Sequence, residues 1–327
     1  MIFQIPSLIF FEKHDMYPEG MVAISGGVPN TLSYLLGRAH CLPDIWCKEI
    51  DYKKLFGLDL YGLVMKPLLK KRLPFVGAPS ILREPKFVEN IIDREISQGG
   101  GFEAILDSPV RLWVGVMNLR EGKLEWVSNK DEGMTPEYFR QKCFESMRIA
   151  VFFPTLNDCA DAGLITNCPI PKAIQLGFSR IVALNALPSR LPPLAGFEMW
   201  PDVRLRHDDI IHIEEVARHE KLTEQVNHDL AMLESIKKHF LVRVSLATSR
   251  KLRNLFDNFS FLTRRRIELC VLKPSHSLAI FRRIGRHYGL PSLAARQELL
   301  IDGERVVRET LIPYLEKQNI LATKKTI

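Results

Sequence analysis

A serine between an apolar run and a glycine pair can expose its hydroxyl on a sharp strand-to-helix turn, and Val22-Ala23-Ile24-Ser25-Gly26-Gly27 has that form. For such a hydroxyl to attack an ester, a neighbouring base must take its proton. A donor must also wait where the carbonyl oxygen becomes negative. Small residues around Ser25 leave room for the turn, and Gly26 carries a backbone N–H that can face the oxyanion. The base can come from far along the chain, from Asp161 in Asp161-Ala162-Gly163-Leu164-Ile165-Thr166-Asn167. Its position suits a carboxylate at the end of a strand or in the turn that follows. Each segment also has a plainer reading. Ser25 can be an ordinary helix N-cap, and an Asp before small residues is common turn chemistry.

The surroundings of both segments sharpen the choice. Glu145 to Pro154 precedes the aspartate. It is followed by Asn167-Cys168-Pro169-Ile170, by Ala173-Ile174-Gln175-Leu176-Gly177 and by Arg180-Ile181-Val182-Ala183-Leu184. In order and spacing this block resembles the region around the catalytic aspartate in the patatin-like phospholipase family of the bacterial type. There an Asp-Gly-Gly or Asp-Gly-Ala turn, an Asn-x-Pro pair and a glycine-stopped helix lead into a buried strand. Upstream, Ala23-Ile24-Ser25-Gly26-Gly27 and the run Asn30 to Gly37 are similar to that family's Gly-x-Ser-x-Gly elbow and the helix behind it. The resemblance covers roughly the first two hundred residues, with the aspartate block its most specific part.

The resemblance implies a three-layer α/β/α sandwich and a lipid acyl hydrolase with a Ser-Asp dyad, Ser25 as nucleophile and Asp161 as general base. Ala23 stands where the family has its first elbow glycine, and Ala162 where it has the glycine after the aspartate. Gly27 and Gly163 complete the two motifs. The family builds its oxyanion hole from a glycine-rich loop after a first strand, whereas Met1 to Lys13 reads as the helix that follows such a loop. The implied strand and loop are therefore missing, and Gly99-Gly100-Gly101 reads as a turn. Loss of one oxyanion donor costs about 3 to 4 kcal/mol of transition-state stabilisation. With Gly26 nearly alone, the expectation is a weak esterase or an inactive relative that binds lipid or protein.

Several elements must position these residues. Met21 to Ile24 reads as a strand, Asn30 to Arg38 and Lys86 to Ser97 as helices, and Val110 to Met117 with Leu124 to Val127 as a hairpin across Glu121-Gly122. Thr135-Pro136-Glu137 opens a helix toward Arg148, with Thr as cap and Pro in the first turn. Pro171 to Leu176 is a short helix stopped by Gly177, and Arg180 to Leu184 a buried strand. The division is 1–200, a patatin-like domain, and 201–327, a mainly helical extension. In the extension Asp208 to Phe240 is a long amphipathic helix whose buried face holds Ile211, Val216, Leu222, Val226, Leu230, Leu233 and Ile236. Leu246 to Leu255 continues in helix, Ile267 to Leu272 is a strand, and Pro291 to Gln318 is mostly helical.

Composition bounds the rest. No cofactor or metal is expected. The six cysteines form no C-x-x-C pair, and His207, His212, His219 and His228 lack the pattern of a zinc hydrolase, so they read as ordinary surface or interface residues. The apolar opening is about ten residues long and meets Glu12-Lys13 at once, which argues against a signal peptide or membrane span. A cytoplasmic protein with reduced thiols follows, with any membrane contact peripheral. The net charge of +7 gathers at Lys70-Lys71-Arg72, Arg264-Arg265-Arg266, Arg282-Arg283 and Arg286. Such clusters suit anionic lipid headgroups or form a solvated face, and no nucleic-acid module accompanies them. The expected partner is a phospholipid or other acyl ester, and oligomeric state is not legible.

Overall fold

The structure is a computed structural model that describes residues 2–51, 85–148, 153–189, 211–228, 231, 266–275, 282–284, 287–289 and 292–321. It is a mixed α/β protein with eight described strands: β1 (Gly20–Ala23), β2 (Arg111–Asn118), β3 (Lys123–Ser128), β4 (Cys159–Asp161), β5 (Arg180–Leu184), β6 (Glu268–Leu272), β7 (Arg282–Ile284) and β8 (His287–Gly289). The principal described helices are α1 (Ile5–Lys13), α2 (Gly27–Leu35), α3 (Lys86–Gln98), α4 (Gly101–Asp107), α5 (Pro136–Ser146), α6 (Ile170–Gln175), α7 (211–228), α8 (Leu293–Val306) and α9 (Ile312–Lys317).

Strand β2 is the spine. From Leu112 to Met117 every residue is buried, the continuous apolar pattern of a strand covered on both faces. It runs parallel to β1 and antiparallel to β3 and to β4. Leu112, Val114 and Val116 point into the main core, where α1, α2, α3, α4 and α5 supply Leu8, Val28, Ile92, Ile105 and Phe139. The alternate residue Trp113 turns to the other face and meets the Phe178 ring edge-on at 5.9 Å.

Strands β5 and β6 form a separate parallel pair. Val182 and Leu184 pack with Phe3, Leu272, Leu311 and Leu315 on one side, and Ala183 packs with Val216 of α7 on the other. Period-two alternation thus gives this pair a helix layer on each face. The extension is not a separate lobe here, because β6 is laid against β5 and Gly303 of α8 lies close under the α1 segment.

Several helix boundaries follow directly from local chemistry. The Thr135 side chain accepts the Tyr138 N–H and Pro136 opens α5; Ser292 caps α8 in the same way. Gly100 and Gly101, with φ of 101° and 80°, form the turn between α3 and α4 that only glycine adopts without strain. Lys70 to Arg72, Arg264, Arg265, Arg286, Leu246 to Leu255, His207, Leu230, Leu233 and Ile236 lie outside the described residues. Arg282 and Arg283 lie on β7, paired with β8. No helix among the described residues is long and apolar enough to cross a membrane.

Helix α7 differs from its expected face. Ile211 and Leu222 are exposed, at 45% and 43%, whereas Glu215, Val216 and Thr223 are buried. The inward stripe is His212, Glu215, Val216, His219 and Thr223; Glu215 bonds to the Asn167 N–H of the facing loop, whereas His212 turns to Glu215 and Thr223 to His219 O within the helix.

Candidate active site

The two chemically promising residues meet because one strand holds both. Strand β3 occupies one edge of β2 from Trp113 to Asn118, so β1 and β4 must share the other edge. Strand β1 ends with Ala23 opposite Val114, and β4 places Asp161 opposite Val116, one residue beyond Gly115. The turn after β1 therefore falls against the end of β4, and the Ser25 side chain lies close enough to the Asp161 carboxylate to draw its carboxyl downward.

Ser25 does not cap α2. Its φ is 53°, Gly26 is the N-cap residue, and no side chain caps that helix end. A serine in the left-handed region costs roughly 1 to 3 kcal/mol and persists only where the surroundings fix it. Here the fixing contacts are visible. The Ser25 N–H donates to Ser146 Oγ at 3.1 Å, and that hydroxyl, itself fully buried, donates to Gly115 O at 2.7 Å. On the far side Gly27 N–H returns to Ile24 O at 2.9 Å. Gly115 must lack a side chain, because a Cβ there would lie 3.1 Å from Ile24 and 2.9 Å from the Trp126 ring. Ala23 is packed in the core at the end of β1. The Ser146 hydroxyl gives a first prediction. In Ser146→Ala the Ser25 N–H and Gly115 O lose their buried partner, which should cost about 1 to 3 kcal/mol and lower the urea midpoint at unchanged m-value.

Asp161 is 3% exposed. Burial raises its carboxyl to about 6, against the opposing pull of the Ser25 side chain, the Gly163 N–H and His212. That Gly163 N–H bonds Asp161 Oδ1 at 2.7 Å, and a Cβ on Gly163 would come within 3.0 Å of the same oxygen. Gly163 is therefore needed for close approach. Neither it nor Ala162 has positive φ, so alanine at 162 imposes no strain. A carboxylate balanced near neutrality beside a hydroxyl can accept its proton. Among the described residues the Gly26 N–H makes no hydrogen bond and stands next to the hydroxyl, as an oxyanion donor must.

Sequence reasoning missed the polar groups behind the aspartate. His212 and His219 take the interface place rather than the surface one. Their side chains are 11% and 15% exposed, and both turn to Glu215, at 3.2 Å and 4.0 Å. His212 is close enough to pull the Asp161 carboxyl downward. Burial pulls the Glu215 carboxyl up, but His212, Thr166 and the Asn167 N–H outweigh it and hold Glu215 below its usual value. Burial pushes the His219 imidazole down. The spacing of His212, Glu215 and His219 along one helix face was the signal that could have found them. Among the described residues no cluster of His, Cys, Asp and Glu could hold a metal ion. A cavity of about 200 Å³ adjoins α7, lined by Ile213, Ala217 and the Glu220–Lys273 ion pair, and includes neither Ser25 nor Asp161.

No family model matches the chain, and no curated protein is similar to it.

Proposed function

We propose that the chain is a serine acyl hydrolase of patatin-like architecture, cleaving a carboxylic ester of phospholipid or a related acyl lipid through a Ser25–Asp161 dyad. The observation that carries the reading is a serine held at φ 53° on a strand-to-helix turn, its side chain beside a buried carboxylate raised to about 6. Asp161 takes the hydroxyl proton as Ser25 Oγ attacks the carbonyl carbon. Collapse of the tetrahedral intermediate expels the alcohol, which recovers the proton, and leaves an acyl-serine. Water, deprotonated by Asp161, then releases the fatty acid and restores the hydroxyl. No cofactor takes part. The second sheet, β5 and β6, with helices on both faces, supports the sandwich reading.

A second reading keeps the fold and discards the reaction, leaving a lipid- or protein-binding module. The observation favouring it is that Gly26 supplies the one described N–H free beside Ser25, since the Ser25 N–H is bound to Ser146. A fluorophosphonate probe separates the two readings. A hydrolase adds one phosphonyl group at Ser25, visible by mass and blocked in Ser25→Ala. A protein unmodified at Ser25 after prolonged exposure would belong to the second reading. The basic clusters are proposed to make peripheral contact with anionic headgroups, and the location to be cytoplasmic.

A further inference from the structure

We infer that Glu215 of α7 is a positioning residue for Asp161, so that the helix of the C-terminal extension is a working part of the site; the inference rests on the hydrolase reading above. The turn that carries the aspartate is short and closed at both ends. At its start Gly163 N–H bonds Asp161 Oδ1, and Ala162 O accepts the N–H groups of Ile165 and Thr166 at 2.9 and 3.1 Å. At its end the chain leaves through Thr166 and Asn167 beside Glu215. The Asn167 N–H donates to Oε2 at 3.0 Å, and the Thr166 side chain is close enough to the same carboxylate to draw it downward.

Glu215 is 6% exposed, so its carboxylate is placed where a charge needs partners. It has them on its own helix as well. His212 Nδ1 lies 3.2 Å from Oε2, and His219 Nε2 lies 4.0 Å from the other oxygen. His219 Nδ1 is buried without a hydrogen-bond partner among the described residues, and His212 makes the shorter of the two contacts with Glu215. A glutamate that served only to anchor α7 would need no more than the apolar seam already provided by Val216 against Cys168 and Ile170. Glu215 adds a directional bond to the Asn167 N–H at the far end of the turn that carries Asp161. It also holds His212 within electrostatic reach of Asp161. Removing it frees the turn at that end while the strand pairing of β4 remains, which misplaces the base by a fraction of an ångström without unfolding the sheet.

The test uses the full chain and two substitutions. In Glu215→Ala, kcat for p-nitrophenyl butyrate should fall about 30-fold or more with KM within about twofold, because the base is displaced and the ester-binding surface is not. Hydrogen exchange of the Asn167 amide should accelerate about tenfold or more in the same variant. Glu215→Gln keeps an oxygen for the Asn167 N–H and should retain kcat within about threefold and slow exchange, the rescue that a bulk structural role would not show. Faster exchange at Asn167 with wild-type kcat would overturn the inference, as would unchanged exchange. Should the wild-type chain itself neither turn over the ester nor take the fluorophosphonate, the hydrolase reading fails. The exchange data then still decide whether Glu215 holds the turn.

Discussion

Ser25→Ala is expected to reduce hydrolysis of a short-chain chromogenic ester by about 10³-fold or more, to the uncatalysed background, and to abolish fluorophosphonate labelling. The magnitude follows from chemistry that no neighbour can replace. Without Oγ there is no acyl-enzyme, and Asp161 is left to deprotonate water that nothing holds in line with the carbonyl. On the proposed reading the starting rate should itself be modest. Among the described residues one free N–H stands beside Ser25 in place of the two or more donors of an efficient hydrolase, a deficit of about 10² to 10³ in turnover. The assay therefore needs enzyme at micromolar concentration and a mass readout beside absorbance. The substitution should leave the fold in place, because alanine at φ 53° is no more strained than serine by more than about 1 kcal/mol. Equal ester turnover in wild type and variant, with matching thermal melts, would remove the dyad from consideration.

Asp161→Asn is expected to lose activity by a similar factor and to gain stability. The folded-state carboxyl is raised to about 6 from an ordinary value of 3.8, chiefly by burial. A carboxyl raised on folding favours the folded state while protonated. Its contribution is fully present below the unfolded value and is lost as pH climbs through the folded one. Above about pH 6 the buried charge therefore works against the fold by up to roughly 3 kcal/mol. Asparagine carries no charge and keeps an oxygen for the Gly163 N–H. The variant should exceed wild type in urea midpoint at pH 8, and the difference should vanish by pH 4. Catalysis runs the other way, since only the ionised carboxylate accepts the serine proton. The wild-type kcat/KM should fall below pH 6 along a single acid limb. A variant no more stable than wild type at pH 8 would show that Asp161 is not held in the raised state described.

Much of the scaffold could be read from local chemistry. The strand ending at Ala23, the hairpin of β2 and β3, the Thr135 cap with Pro136, and the strand Arg180–Leu184 all carry their own turn, cap or periodicity signals. What could not be read is what depends on pairing across the chain. The placing of Asp161 at a strand end was legible, but the pairing of Cys159-Ala160-Asp161 on β2 was not, because that short strand is stabilised by its edge on β2 and not by propensity. Ser146 gives no signal at all; its role appears only once Gly115 and Ser25 are brought to either side of it. The face of α7 was misread for a related reason. Val216 and Val226 point inward as expected, but Ile211 and Leu222 do not, and Glu215 is turned inward to accept the Asn167 N–H, a requirement invisible until the two segments touch.

The docking of β1 and β4 end to end along a single edge has a bearing on how such a protein can change over generations. Each partner is registered on β2 separately, so the length of polypeptide separating them exerts no geometric pull on their encounter. Insertions or deletions in the intervening loops should drift freely. A shift of β4 by one position would instead present Ala160 or Ala162 to the serine and turn the carboxylate to the opposite face of the sheet. Heritable variation is thus tolerated in spacing and forbidden in alignment.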